Sequence, residues 1–138
     1  MDKKDLWQRA MQIARNADVS TACNCAVVYS VHFLPTDENK LKALAYIGAN
    51  PQMMMIDHTD CGKKLISLQL EKYFTDDEIA AIWAVASKRY IAAASGNITA
   101  FVDGADYRSV FITTELPEIL RNPKIYTING IQKEKFRI

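Results

Sequence analysis

The sequence has few cysteines and almost no excess of either charge. Three cysteines in 138 residues cannot build a disulfide framework, so packing alone has to stabilise the fold. The formal net charge is only +1. A chain without a basic surplus has little with which to hold a phosphate backbone, and we therefore expect no nucleic-acid partner.

Long hydrophobic runs are also missing. The longest stretch without a charged residue runs from Val19 to Thr36, and its serine, threonine, asparagine and histidine residues make it too polar for a membrane span. The amino-terminal segment from Met1 to Asp5 lacks the apolar core of a signal peptide. We expect no membrane partner, and a protein that works in a cytoplasm, either its own or that of another cell.

The cysteines do not match a familiar metal-binding pattern. Cys23 and Cys25 lie two positions apart, and Cys61 stands alone. Zinc could be imagined on these thiols with His32 or His58, but zinc sites normally use cysteine pairs with a wider spacing. A zinc deaminase would also need a glutamate combined with paired cysteines. We expect no metal and interpret the thiols as small buried apolar groups.

What the chain does have is enough apolar material, 49% of its residues, for a compact core. Apolar spacing and capping signals predict helices over about 4–16, 36–48, 59–73 and 76–94, the last opened by a capping box of Thr75 and Glu78. A further apolar segment starts at a Ser20 or Thr21 cap and ends before Pro35.

The pattern changes after the last of these helices. Strands are predicted over 98–102, 110–114 and 124–129, with a short helical turn at 116–120. We expect one catalytic domain over 1–138, with a mainly helical lobe at 1–74 and an α/β lobe at 75–138. The cleft between the two lobes is the default place for a site.

Three residues of the second lobe suggest chemistry at a glycosidic bond. Trp83 and Ser87 are four positions apart, so they share one face of the predicted helix. Glu115 ends a predicted strand, where sites of α/β folds are often built. Taken singly, a helical tryptophan usually belongs to the core and a lone glutamate usually faces water. Together, an aromatic floor, a hydroxyl and a carboxylate suit a flat cationic group attached to a sugar.

The order of these residues resembles the ADP-ribosyl cyclase / NAD glycohydrolase family of animals. The segment Ile82–Gly104 is similar to a family helix with tryptophan and a serine four positions later, followed by a strand that ends in asparagine-glycine. The segment Ser109–Glu115 is similar to the run that ends in the family's catalytic glutamate. The resemblance implies catalytic roles for Trp83, Ser87 and Glu115, and substrate binding by Ser109 and Phe111.

Three shorter segments extend the resemblance towards the amino terminus. The run Leu6-Trp7-Gln8-Arg9 is similar to a family helix whose tryptophan and arginine face the substrate, which implies substrate binding by Trp7 and Arg9. Glu38, at the end of Thr36-Asp37-Glu38, would be the second acidic residue. The stretch from Asp57 to Gly62 ends in cysteine-glycine like a family segment with an aspartate pair, for which only Asp57 and Asp60 are available here.

The resemblance implies an α/β fold in which a helical amino-terminal half packs on a half with a small, mainly parallel sheet. It implies NAD⁺ as substrate, with no cofactor. We expect hydrolysis to nicotinamide and ADP-ribose, by a compact, disulfide-poor, bacterial toxin-type member that depletes NAD and has a cognate immunity protein. The alternatives are a cyclase that makes cyclic ADP-ribose for signalling, and a non-catalytic nucleotide- or protein-binding module.

Overall fold

The computed structural model describes residues 2–30 and 37–138. Its helices are α1 (Lys3–Asn16), α2 (Glu38–Ala49), α3 (Asp60–Ser67), α4 (Asp76–Ala93) and α5 (Leu116–Arg121). Its strands are β1 (Ala26–Tyr29), β2 (Met54–Met55), β3 (Gly96–Phe101), β4 (Ile125–Ile128) and β5 (Ile131–Gln132). Short 3-10 turns lie at Ile56–His58, Leu70–Lys72 and Lys133–Lys135, and a π-helical turn at Phe111–Glu115 leads directly into α5.

The five strands form one sheet in the order β2-β1-β3-β4-β5. The first four strands are parallel to their neighbours, and only β5 pairs antiparallel with β4. The α/β class with a small, mainly parallel sheet is therefore confirmed.

Helices cover both faces of this sheet, because successive side chains of a strand point to opposite sides. Ala26 and Val28 of β1 join the main core, which is shared with α1, α3, α4 and α5. Val27 joins a smaller core with Ala43 of α2 and with Met55. The helix that follows β1 therefore lies on the opposite face from the one that follows β3.

Local sequence explains where the helices begin. The Thr75 hydroxyl accepts the Glu78 amide hydrogen at 3.2 Å, and the Glu78 carboxylate accepts the Thr75 amide hydrogen at 2.9 Å, which confirms the predicted capping box. Asp2 caps α1 and Thr59 caps α3 by a single bond each, since their side chains accept the amide hydrogens of Asp5 and Gly62. The predicted strands at 98–102 and 124–129 are confirmed with slightly different ends.

The strand predicted over 110–114 is wrong, and with it the placement of Glu115 at a strand end. The segment is helical, because the Ser109 hydroxyl accepts the Ile112 amide hydrogen and the Ser109 carbonyl accepts that of Thr113. The segment also connects two parallel strands, a task that usually requires a helix. Capping and topology together outweigh the strand propensity of the β-branched residues.

Two predictions for the amino-terminal half also fail. Ser20 and Thr21 do not open a helix; the chain instead enters β1, which lies inside the sheet and whose Ala26, Val27 and Val28 are all buried. The helix predicted to reach residue 73 ends at Ser67, because Gln69 adopts a left-handed backbone with φ of 53°. The predicted end of the apolar segment, at Leu34 and Pro35, lies outside the described residues.

Candidate functional site

Polar side chains gather at the carboxyl edge of the sheet. Tyr29 is the last residue of β1, Asp57 follows β2, and Glu115 lies in the connection that follows β3. In open parallel sheets, ligands bind outside the carboxyl ends of two neighbouring strands whose connections leave on opposite faces. Here those strands are β1 and β3, so the topology points to this edge as the site.

Glu115 is the central group of this cluster. Its side chain is buried, with 5% of the residue exposed. The pKa of Glu115 is raised to about 8, mainly by burial and then by the negative charge of Asp57, while the Ser87 hydroxyl acts in the opposite direction. A carboxyl group with such a pKa can hold or release a proton near neutral pH, which is typical of functional sites.

Asp57 is the second buried carboxylate, with 8% of the residue exposed. The Tyr29 hydroxyl donates to it, at 3.1 and 3.0 Å from the two carboxylate oxygens. The Lys40 ammonium lies 3.7 Å from Oδ2 of Asp57 and also faces the ring of Tyr29. Burial and the charge of Asp57 raise the pKa of Tyr29, so this hydroxyl remains a donor.

Tyr90 connects helix α4 to the sheet beneath the site. Its hydroxyl lies 2.7 Å from the carbonyl oxygen of Met54 and 3.0 Å from that of Val27, and it accepts the Val27 amide hydrogen at 3.1 Å. Burial, followed by the charge of Glu115, raises the pKa of Tyr90. The hydroxyl thus satisfies backbone groups where β1 and β2 meet, and it fixes α4 over them.

Two of the three residues expected to be catalytic are in contact. Ser87, on α4, is buried and lies close to Glu115, where its hydroxyl lowers the pKa of the carboxyl group. Trp83 lies one turn earlier on the same helix, is half-buried and packs against the main core. The structure therefore brings Ser87 and Glu115 together, and it keeps Trp83 on the helix that carries Ser87.

The residues expected to bind substrate lie in varied places. Trp7 is half-buried on α1, with its ring 5.5 Å from that of Phe74 in an edge-on arrangement. Arg9 is exposed and lines a groove between α1 and α3, and Glu38 is exposed on the first turn of α2. Ser109 is half-buried and caps the helical segment that contains Glu115, while Phe111 is 1% exposed within the main core.

The structure thus adds residues that the sequence did not identify as site residues. Asp57 is an acidic residue whose charge acts on Glu115, while Glu38, expected as the second acidic residue, is exposed on α2. The sequence signal for Asp57 was its position before the cysteine-glycine pair at 61–62, which did not distinguish it from the exposed Asp60. Tyr29, Tyr90 and Lys40 gave no signal, because their roles depend on strands and helices that meet only in the folded chain.

No metal site is apparent in the part of the chain that the structure describes, where no three histidine, cysteine, aspartate or glutamate residues cluster closely enough to hold an ion. Cys23 is exposed, Cys25 is half-buried, and Cys61 is buried with its thiol 3.4 Å from the Ile13 carbonyl oxygen. His32 lies outside the described residues. Within residues 2–30 and 37–138, no helix is long and apolar enough to cross a membrane.

Two surface cavities lie away from the carboxyl cluster. The groove between α1 and α3 has a volume of about 480 Å³, and a second cavity of about 510 Å³ lies beside β4 and β5. Neither is lined by Glu115, Ser87 or Asp57. We identify the candidate site from its buried charges and topology rather than from cavity size.

Comparison with known proteins supports the fold. No family model and no curated protein sequence matches the chain. A solved structure of an ADP-ribosyl cyclase mutant, in which a glutamate is replaced by alanine, is 15% identical with a TM-score of 0.56, over 93% of this chain and 63% of that one. Porcine CD38 with a covalent intermediate, ribo-F-ribose-5'-phosphate, is 16% identical with a TM-score of 0.58, over 90% and 67% of the two chains.

Porcine CD38 in its apo form is 14% identical with a TM-score of 0.51, over 90% of this chain and 66% of that one. The chain therefore spans about two thirds of the length of these structures. At such low identity the likeness concerns architecture alone. The protein has an ADP-ribosyl cyclase-like fold, with Glu115, Ser87 and Asp57 clustered at the carboxyl edge of its sheet.

Proposed function

We propose that the protein is an NAD⁺ glycohydrolase that cleaves the bond between nicotinamide and ribose. The observation that carries the proposal is the buried Glu115 carboxyl group beside the buried Ser87, on the helix that also bears Trp83. The fold is shared with ADP-ribosyl cyclase and with a CD38 structure that holds a covalent ribose-5'-phosphate intermediate. Both supports point to chemistry at a ribose.

The charges of the site suit a cationic substrate. Nicotinamide in NAD⁺ is a flat cation, for which Trp83 supplies an aromatic face and the pair of Glu115 and Asp57 a negative potential. A cation bound close to Glu115 favours the charged form of the carboxyl group. Substrate binding thus lowers the pKa of Glu115 from about 8 and generates the carboxylate where it is needed.

The bond-breaking step then follows from this carboxylate. As the carbon–nitrogen bond breaks, its electron pair leaves with nicotinamide, which becomes neutral, and positive charge develops on the ribose. The Glu115 carboxylate stabilises that charge, as carboxylates do in retaining glycosidases. Water adds to the same carbon and loses a proton, and the product is ADP-ribose. Ser87 holds the carboxylate in position through its hydroxyl.

The test is to incubate the purified protein with NAD⁺ and to separate the products by chromatography, with Glu115→Gln beside it. Glu118→Gln is the matched control, since Glu118 lies one turn further on in the same helical segment, where it pairs with Arg121 and, at 3.9 Å, with Lys88. We expect nicotinamide and ADP-ribose from the wild type and from Glu118→Gln, and a loss of about 10²-fold or more in Glu115→Gln.

The other candidate functions give different results in the same experiment. Mostly cyclic ADP-ribose from the wild type would mean a signalling cyclase, in which the adenine ring attacks in place of water. We favour hydrolysis because a compact chain, with fewer walls around the ribose, admits water easily. Intact NAD⁺ in every sample would refute the enzymatic proposal and leave a binding module.

For the biological role, we propose an antibacterial effector domain that depletes NAD in the cytoplasm of a target cell. In the cell that produces it, an immunity protein neutralises it. Support comes from the proposed chemistry, which harms any cell that holds it, and from the scarcity of cysteine. Expression of the wild type in a bacterial cytoplasm should lower cellular NAD and stop growth, whereas Glu115→Gln should do neither. Normal growth with unchanged NAD in cells that contain the soluble wild type would contradict the effector role.

A further inference from the structure

Two buried carboxyl groups, those of Asp57 and Glu115, form the centre of the candidate site. Among the described residues, Lys40 is the one lysine or arginine that forms an ion pair with either of them. It lies on the first turn of α2, with its side chain 40% exposed, and its ammonium is 3.7 Å from Oδ2 of Asp57. The Asp57 side chain is only 10% exposed, and it also accepts the Tyr29 hydroxyl. Lys40 therefore reaches inwards from the opposite face of the sheet to the one occupied by α4 and Ser87.

The other groups around Glu115 that lie within residues 2–30 and 37–138 do not supply a positive charge to Asp57 or Glu115. Helix α4 contributes the neutral hydroxyls of Ser87 and Tyr90, and β1 contributes that of Tyr29. Helix α5 contributes Glu118, whose charge is balanced by Arg121 and by Lys88 of α4. The remaining charged neighbour is Asp37, at the start of α2, which acts on Tyr29. Among the residues that the structure describes, the charges that act on this cluster, apart from that of Lys40, are negative.

We propose that Lys40 is a positioning residue that keeps Glu115 able to ionise, by balancing the negative charge of Asp57. The inference rests on the proposed function, because it explains how a site with two buried carboxylates keeps one of them available at neutral pH. Two carboxylates near each other cannot both ionise easily without a compensating cation. Lys40 supplies that cation without touching the reacting atoms.

The experiment compares Lys40→Met, which removes the charge and keeps much of the side-chain length, with Lys40→Arg, which keeps the charge. Lys42→Met is the matched control, because Lys42 lies two residues further along the same helix and pairs with an exposed carboxylate, Asp103, at 3.6 Å. The measured quantity is kcat/KM for NAD⁺ between pH 5 and pH 10. This quantity reports ionisations of the free protein.

In the wild type, kcat/KM should rise with pH and level off above the pKa of Glu115, which is about 8. In Lys40→Met we expect this rise to move upwards by about 0.5 to 1 pH unit, so that activity at pH 7 falls about 3- to 10-fold and recovers above pH 9. Lys40→Arg and Lys42→Met should follow the wild-type profile. An unchanged profile in Lys40→Met, or an equal loss at every pH, would overturn the proposal, since the latter indicates a purely structural role.

A second measurement separates this proposal from the enzymatic one. The Glu115 carboxyl carbon can be titrated by NMR in ¹³C-labelled protein, with Glu115→Gln identifying its signal. If the wild type leaves NAD⁺ intact but the titration of Glu115 moves upwards in Lys40→Met, the charge balance holds and the proposed reaction fails. If NAD⁺ is cleaved but the titration does not move, the reaction holds and the role of Lys40 fails.

Discussion

The two edges of the sheet differ in the polar groups that they bury, because among the described residues only the carboxyl edge buries acids. At the amino edge, Asn24 and Asn122 are amides that precede strands; Asn24 is exposed, whereas Asn122 is buried and well satisfied. The side-chain nitrogen of Asn122 donates to the carbonyls of Ile91 and Ala94 at 2.9 and 3.1 Å, and its oxygen accepts the Lys124 amide hydrogen at 2.9 Å. The oxygen of Asn24 accepts the Asn97 amide hydrogen at 2.7 Å. The carboxyl edge also buries an amide, Asn39, whose nitrogen donates to the carbonyls of Ser30 and Asp103 at 3.0 Å, but in addition it buries the acids Asp57 and Glu115.

This difference shows which edge serves stability. A neutral amide that forms all its hydrogen bonds costs little to bury, and it holds the strand starts in register. A buried carboxyl group next to another one resists ionisation, so its presence destabilises the folded state at higher pH. Folding alone would favour an amide at both edges. The acids at one edge are therefore best explained by chemistry.

Among substitutions at the two edges, Glu115→Gln should have the largest effect on stability, because it replaces a buried acid with a neutral amide. The folded protein keeps the proton on Glu115 up to a pH of about 8, whereas the unfolded chain releases it near the ordinary glutamate pKa. The free energy of unfolding of the wild type therefore falls as pH rises through this window. At pH 9, Glu115→Gln should be more stable than the wild type by on the order of 5 kcal/mol, and near equal to it at pH 4.

Denaturant unfolding of the two proteins at pH 4, 6, 7 and 9 measures this gap. Glu118→Gln again serves as the control, because the ion-pair partners of Glu118, Arg121 and Lys88, are exposed and such pairs contribute little. A gap that is constant across the series would show that Glu115 ionises normally in the folded protein.

The second largest effect on stability should come from substitutions of Asn122 at the amino edge. Asn122→Ala leaves two carbonyls near the end of α4 and one backbone amide without their partner, so the protein should lose about 2–3 kcal/mol of stability at every pH. Asn122→Asp should convert this edge into a copy of the other one, because a carboxylate cannot donate to the two carbonyls. Its loss of stability should grow as pH rises, and denaturant unfolding at pH 4 and pH 8 would show this. Equal losses in both variants at both pH values would contradict the comparison.

A smaller effect is expected from Asp57→Asn. Without the negative charge of Asp57, the pKa of Glu115 should fall below about 8, and the part of the stability that changes with pH should shrink by about 1 kcal/mol. The Tyr29 hydroxyl can still donate to the new amide oxygen. NMR titration of Glu115 measures the change directly, and Asp103→Asn, at the exposed partner of Lys42, should leave the titration in place.

The smallest effects should come from two buried hydroxyls, one on each side of β1. Within the described residues, Thr21 before the strand and Ser30 after it have hydroxyl oxygens that form no hydrogen bond. Removal of an unpaired buried hydroxyl is nearly neutral or stabilising. Thr21→Ala and Ser30→Ala should therefore stay within about 1 kcal/mol of the wild type in thermal unfolding. A clear loss of stability in Ser30→Ala alone would show that its hydroxyl has a partner at the site edge.

Much of the fold could be predicted from the sequence wherever local signals decide the outcome. The Thr75 and Glu78 box begins α4 as predicted, and α1, β3 and β4 lie close to their predicted positions. The prediction failed where tertiary contacts decide. The segment Phe111–Glu115 contains β-branched residues, yet it is helical because it must connect two parallel strands. Ala26–Tyr29 becomes an inner strand because both of its faces are covered by helices.

The candidate site divides in the same way. The sequence by itself determined that Trp83 and Ser87 share a helix, because that relation depends on spacing along the chain, whereas it placed Glu115 at the end of a strand and the segment is helical. Only the tertiary structure decided which acid accompanies Glu115. Asp57 and Lys40 belong to separate elements that come together at the edge of the sheet. The charge on Glu115 depends on its burial and on these neighbouring charges, and both exist only once the chain has folded.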